Sequence, residues 1–344
     1  MDLAVSKSTV ASATATVAGI DRTCVKTLEG HTSWVNALAV GPDGTLYSAS
    51  DDETIKVWST NDGVCVETLE GSEEGYIDFL NALAVGPDDT LYYSASEYNI
   101  KVLSNNDSVC VKVLEGHTGN VNALALAPDG TLYSASDDWT IKVWSINDGV
   151  CLKTLDGHTD WVHALALAPD GTLYSGSCDN TIKMWNTNDG VCVKTLKGHT
   201  DWVCALTMAP DGALYSASRD KTIKMWNTND GECVKTLKGH TDWVRALALA
   251  PDGTLYSGSC DNTVKVWDTT HGVCLETLEG HTDWVRALAL APDGTLYSGS
   301  CDNTIKVWKD KEKCQKRANE GTDSETSPKA QKIEINTSST MKGS

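Results

Sequence analysis

Self-repetition constrains this chain more than any other feature. The dipeptide Gly-His recurs at Gly30-His31, Gly116-His117, Gly157-His158, Gly198-His199, Gly239-His240 and Gly280-His281, and the last four pairs are spaced 41 residues apart. A further unit opens at Gly71-Ser72, without the histidine. Such a period marks an array of one supersecondary unit. A unit this short cannot bury an apolar face alone, so its neighbours must cover it.

One unit, Gly239 to Leu278, reads as four strands. Val244 to Ala250 is an apolar run closed by the turn Pro251-Asp252-Gly253. Thr254 to Ser259 and Thr263 to Trp267 follow, separated by Cys260-Asp261-Asn262. Val273 to Leu278 comes after a second turn, Asp268 to Gly272. Each strand is short, rich in β-branched and aromatic residues and bounded by turn formers. No window carries helical periodicity.

In order and spacing, Gly-His, Pro-Asp-Gly, Ser-Gly-Ser and an Asp ahead of Thr-Val-Lys-Val-Trp-Asp resemble the WD-repeat family, over Thr23 to Trp308. The resemblance implies an all-β fold, a seven-bladed β-propeller of four-stranded antiparallel blades. The expected domains are a mobile leader at 1–22, the propeller at 23–308 and a disordered, charged Ser/Thr-rich tail at 309–344. Thr23 to Glu29 is a fourth-strand sequence standing before the first Gly-His, whereas the last unit stops after its third strand at Trp308. The strand count closes if residues 23–29 complete the last blade, which joins the ends and removes two exposed edges.

The family resemblance also implies a hydrogen-bonded chain in each blade, from Trp indole to Ser, Ser to His and His to Asp. The sets are His31, Ser48, Asp52 and Trp58; His117, Ser134, Asp138 and Trp144; His158, Ser175, Asp179 and Trp185; and others ending in Trp226, Trp267 and Trp308. Ser50 shares strand parity with Ser48, so either serine can be the partner. Ser, His and Asp also evoke a catalytic triad. A nucleophile is singular and exposed, whereas this set repeats with a tryptophan attached, and we read it as structural.

The formal net charge is −19, and the near-neutral ends leave that charge on the repeats. This argues against non-specific nucleic-acid or anionic-membrane partners. The start of the chain has no basic n-region, and its apolar run Val17 to Ile20 is too short for a signal core or a membrane span. Seven of twelve cysteines (Cys24, Cys65, Cys110, Cys151, Cys192, Cys233 and Cys274) hold the same place in each fourth strand. Equivalent places in successive blades are too far apart to pair, so we expect half-buried thiols in a reducing, cytoplasmic setting, the nucleus left open. No CxxC pair is present, and Cys178, Cys260 and Cys301 lack an adjacent histidine, so neither metal nor cofactor is expected.

The second unit deviates. Besides Ser72 it carries the insertion Glu73-Glu74-Gly75-Tyr76, an extra residue at Tyr92-Tyr93, Glu97 in place of Asp and Leu103 in place of Trp. We read it as a decayed blade held by its neighbours, and the rival reading is a specialised binding loop.

Against this framework, three positions vary. Ahead of the Ala-Leu core stand Trp34, Phe79, Asn120, Trp161, Trp202, Trp243 and Trp284. Immediately before it stand Asn36, Asn81, Asn122, His163, Cys204, Arg245 and Arg286. Just before the Asp stand Asp51, Asp137, Cys178, Arg219, Cys260 and Cys301. The resemblance places all three around the upper mouth of the channel. Trp and Arg are favoured interface anchors. We therefore expect a non-catalytic scaffold, a monomeric ring within a larger complex. It binds a peptide or protein through Trp34, Phe79, Trp161, His163, Trp202, Arg219, Trp243, Arg245, Trp284 and Arg286. The alternative within this class is a substrate receptor of an assembly such as a ubiquitin ligase, although no F-box-like helical segment is present. The alternative from another class is an enzyme with a channel site, although no acid/base set departs from the repeat. Arginine forks favour an acidic or phosphorylated partner. If Asp201, Asp242 and Asp283 neutralise them, a basic peptide on the tryptophans fits better.

Overall fold

Burial patterns set each strand's place. The second strand of the Gly-His units, such as Leu173–Ser177, is buried at all positions, with only Tyr47 of the first unit half-buried, so it is covered on both faces. The fourth strand, such as Val191–Lys197, has exposed and half-buried positions and forms the outer edge. A computed structural model describes residues 21–70, 80–95, 98–104 and 110–311. Among them the strands form seven four-stranded sheets, each antiparallel throughout.

The core lies between blades, not within them. Ile141, Val143 and Leu155 of the third blade pack against Val162, Leu173 and Trp185 of the fourth. Leu28, Ile305 and Val307 of the seventh pack against Val35, Leu46 and Trp58 of the first. The first strands surround one central cavity lined by Asn36, Asn81, Asn122, His163, Cys204, Arg245 and Arg286, one residue from each blade, together with Arg219. The blades therefore form a seven-bladed propeller whose first strands line the axis.

Lysines on the outer strands clasp neighbouring blades. Lys153 Nζ donates to Asn188 O at 2.6 Å, and Lys235 Nζ to Thr269 O at 3.0 Å. Blade six has Glu276 at this register, where it accepts the Arg22 backbone N–H at 3.1 Å.

That contact belongs to the closure. Strand Arg22–Leu28 pairs antiparallel with Ile305–Asp310, from Arg22 opposite Asp310 to Leu28 opposite Ile305. The N-terminal strand thus completes blade seven, as expected. It begins and ends one residue earlier than Thr23–Glu29, and the third strand of this blade runs on to Asp310. Residues 309 and 310, expected in the tail, are paired strand. Arg22 explains the extension. Its Nε lies 3.2 Å from Asp310 Oδ1, one terminal nitrogen donates to Gly294 O at 3.1 Å, and its guanidinium stands 4.8 Å from the Tyr256 ring of blade six. Residues 1–20 and 312–344, most of the expected leader and tail, lie outside the described residues.

Blade two keeps four strands, Leu83–Val85, Leu91–Ser94, Ile100–Leu103 and Cys110–Leu114. Its register puts Tyr93 opposite Lys101, where blade three puts Ser134 opposite Lys142. Tyr93 and Leu103 are buried with Ala49, Ile55, Leu80 and Leu91. An apolar pair therefore fills the space of the serine and indole. Residues 71–79, 96 and 97, with Ser72, Phe79 and Glu97, lie outside the described residues.

The seven fourth-strand cysteines each face the third-strand Trp, or Leu103 in blade two, as in the pairs Trp185 with Cys192 and Leu103 with Cys110. Cys110, Cys151 and Cys274 are exposed and not half-buried as expected. Their strands form the rim, where only one face is covered.

Candidate functional site

The polar chains hold the loops that carry the site. In blade one, Trp58 Nε1 donates to Ser48 Oγ at 2.8 Å, Ser48 Oγ lies 2.7 Å from His31 Nε2, and His31 Nδ1 lies 2.8 Å from Asp52 Oδ2. An indole only donates, so the hydroxyl accepts from it and passes its own proton toward Nε2. The neutral imidazole then carries its proton on Nδ1 and donates it to Asp52. Ser50 Oγ instead donates to Ser33 O and accepts the Asp52 N–H, so the first serine belongs to the chain and the second pins the loop. The same chain joins Trp144, Ser134, His117 and Asp138 in blade three and Trp185, Ser175, His158 and Asp179 in blade four. It recurs with Trp226, Trp267 and Trp308. Gly157 precedes His158 because a Cβ there would lie 3.3 Å from the Trp185 ring, at a φ of +156°.

Burial alone would raise the Asp52 carboxyl. Hydrogen bonds from His31, Thr54 and the Thr32 N–H outweigh it and hold the group well below the usual range. The chain serines are fully buried and each takes an indole N–H, so they are not placed to attack a substrate.

These anchored loops converge on the mouth. Each residue just before the Asp donates its N–H to the carbonyl of the residue ahead of the core, as Cys178 does to Trp161, Arg219 to Trp202 and Cys301 to Trp284. From blade four to blade one the side chains then form a continuous arc. Trp161 meets Trp202 edge-on at 5.7 Å, and His163 stacks on Trp202 at 5.8 Å. Arg219 lies between Trp202 and Trp243, 3.3 and 4.2 Å from their ring centroids. Arg245 is 5.5 Å from Trp243 and 5.8 Å from Trp284, and Arg286 is 5.3 Å from Trp34. Trp34 and Trp161 are 43% and 40% exposed, whereas Trp202, Trp243 and Trp284 are half-buried under the arginines. The arc therefore has open tryptophans at its ends and covered ones in its middle. All predicted face residues but Phe79 fall in it.

The aspartates do not neutralise the arginines. Asp201, Asp242 and Asp283 each accept the N–H of the following tryptophan at 2.8 Å. Among the described residues, no ion pair joins Arg219, Arg245 or Arg286 to a carboxylate. Blades one and three fill the equivalent space with amide–carboxylate hydrogen bonds, Asn36 to Asp51 and Asn122 to Asp137, the latter 2.7 Å.

His163 records this field. Burial first, then the charges of Arg245, Arg219 and Arg286, push its imidazole down to about 4. A histidine depressed in the folded state takes up protons only on unfolding, between its folded and free values, so folding weakens as pH falls from about 6.5 toward 4. We expect this group to remove on the order of 3 kcal/mol across that window. Thermal melts of His163→Asn, which installs the residue of blades one to three, should show a flatter pH response. The chain aspartates act below this window, because depressed carboxylates lose their contribution as pH falls below the ordinary range.

Sequence reasoning missed Trp139. Of twelve tryptophans, six end polar chains and five belong to the arc, so this one was left over. It is 49% exposed, with a φ of +70°, at a turn position where blades four, six and seven have Asn180, Asn262 and Asn303. Left-handed backbone suits asparagine better than an aromatic residue. Trp139→Asn should raise stability by roughly 0.5–1 kcal/mol, read as a higher denaturant midpoint.

The family model described as WD40, "WD domain, G-beta repeat", matches residues 22–59, 108–145, 149–186, 190–227, 231–268 and 272–309, about two thirds of the chain. Most of blade two falls outside these matches. Similar stretches occur in the nuclear distribution protein PAC1 of Gibberella zeae, 51% identical over 53 residues, and of Candida glabrata, 60% identical over 45. They cover 15% and 13% of this chain but only 12% and 9% of those relatives, so the likeness is that of little more than one repeat. With six repeats matched by the family model and seven four-stranded blades closed into a ring, the chain belongs to the WD40 repeat family.

Proposed function

We propose that this propeller is a non-catalytic interaction scaffold that binds a protein or peptide on its upper face. The arc of Trp161, Trp202, Arg219, Trp243, Arg245, Trp284, Arg286 and Trp34 carries the reading. It presents aromatic and guanidinium anchors on rigid loops, the composition that concentrates binding energy at interfaces. The partner we infer is acidic or phosphorylated. A basic peptide is disfavoured because the chain's own guanidiniums already lie against the indole rings that it would need. Free thiols along the rim fit a reducing, cytoplasmic location, and no helix among the described residues is long and apolar enough to cross a membrane. The PAC1 relatives lend the repeat and not their role, because the matched stretch is so short.

The test is affinity capture with mass spectrometry. The intact ring is compared with the double variant Trp34→Ala/Trp161→Ala and with Val193→Ala on the outer rim. Partners retained by the intact ring and the rim variant, but lost by the face variant, support the reading. Identical partner sets for all three proteins would overturn it.

A further inference from the structure

The mouth holds more donor capacity than the chain uses. The cavity there measures about 200 Å³ and is lined by Arg219, Arg245, Arg286, His163, Cys204 and the three asparagines of blades one to three. Arg219 Nε, Arg245 Nε and His163 Nε2 are buried without a hydrogen-bond partner. Buried polar groups are nearly always satisfied, and each exception asks for an explanation.

The groups beside the guanidiniums do not supply one. Each guanidinium shares a side-chain hydrogen bond with a thiol, Arg219 with Cys204, Arg245 with Cys260 and Arg286 with Cys301. Thiols are weak acceptors. Burial raises these three, Cys301 to about 11, so they stay neutral and cancel no charge. Three like charges are thus held around one cavity in a chain whose net charge is −19.

The stacking that fixes them leaves the right atoms free. A guanidinium over an indole uses its face, while its N–H donors lie in its plane and remain available at the edge. A planar carboxylate matches one fork. A phosphate monoester offers three terminal oxygens and about two negative charges, which suits a cup built from three forks.

We infer that the mouth cavity is a seat for a phosphate monoester borne by the partner, bound by Arg219, Arg245 and Arg286 with His163 at its edge. This rests on the upper face being the interaction surface. It adds which chemical group enters and where. The arginines repel one another, and burial together with Arg245 lowers Arg219. A dianion replaces that repulsion with attraction and gives the unpartnered nitrogens strong acceptors.

The repeats supply variants that the fold already accepts. Arg245→Asn and Arg286→Asn install the residue of blades one to three, and Arg219→Cys installs that of blades four, six and seven. Binding is measured by fluorescence anisotropy at about pH 7.5, where a phosphomonoester is mostly dianionic. The probes are a degenerate phosphoserine peptide pool and matched serine and glutamate pools, with inorganic phosphate as a separate arm. The phosphoserine pool should bind roughly ten-fold or more tighter than either matched pool and lose at least that factor in each arginine variant, as expected of charge-assisted contacts. Thermal melts confirm that each variant is folded. Equal binding of the three pools, or phosphoserine binding unchanged in folded arginine variants, overturns the seat. Inorganic phosphate binding without phosphopeptide preference overturns the partner-borne source. If the pools bind equally and lose binding in Trp34→Ala/Trp161→Ala alone, the scaffold reading survives and the phosphate seat does not.

Discussion

A chain lacking residues 1–28 is expected to aggregate or to melt far below the intact protein, while a chain ending at Lys311 melts like it. The first truncation removes the outer strand of blade seven. Six register pairs with Ile305–Asp310 are lost, and Leu28, 3% exposed, no longer covers Ile305 and Val307. Burial of one such leucine contributes about 1.5–3 kcal/mol, and each net backbone hydrogen bond about 1 kcal/mol. The links from Arg22 to Gly294, Asp310, Tyr256 and Glu276 disappear as well. Together these amount to several kcal/mol against the ~5–15 kcal/mol by which a folded domain is usually stable. The bare edge at Ile305–Asp310 also becomes a template for intermolecular pairing. The control must keep residues 309 and 310, because both are paired with the N-terminal strand. Melting curves followed together with light scattering decide the matter. Indistinguishable behaviour of the two truncations would falsify the closure.

Trp185→Ala is expected to lower stability by about 3–5 kcal/mol, and Trp161→Ala by about 1 kcal/mol or less. The two residues differ in where the polar chain puts them. Trp185 is 1% exposed, packs against Tyr133, Ile141 and Val143 of the preceding blade, and donates to Ser175 Oγ at 2.8 Å. Truncation opens a cavity across a blade interface and leaves the Ser175–His158–Asp179 relay without its first donor. Trp161 is 40% exposed, with contacts to Trp202 and His163 along one side. Denaturant midpoints should rank the two variants far apart. The opposite order would mean that the buried and exposed tryptophans have been exchanged. The combined result also separates the parts: the first substitution tests the ring and the second tests the face.

Much of this molecule was legible without coordinates, and repetition is the reason. A fourth-strand sequence at one end and a missing fourth strand at the other can be reconciled by pairing them, so ring closure followed from counting strands. The Trp–Ser–His–Asp chains were implied by the family resemblance, and the joint recurrence of those positions agrees with it, because a buried indole and a buried imidazole both need partners. The residues that break the repeat marked the face, since a framework this uniform leaves little else to vary. What lay beyond the sequence depends on approach between residues far apart in the chain. Arg22 stands just before the Thr23 boundary read from the sequence, and its anchoring of the closure arises where it meets Gly294, Asp310 and Tyr256. In blade two the apolar pair Tyr93 and Leu103 could fill the place of a serine and an indole because neighbouring blades supply Ala49 and Ile55, which no local pattern encodes. The electrostatics of the mouth were settled by geometry as well. Asp201, Asp242 and Asp283 are adjacent in sequence to the tryptophans, yet they turn to their own loop N–H groups and leave Arg219, Arg245 and Arg286 against indoles and thiols. Sequence sets which charges are present; only the convergence of seven blades on one axis decides which of them meet, and around this mouth it gathers three cations that, among the described residues, form no ion pair with a carboxylate.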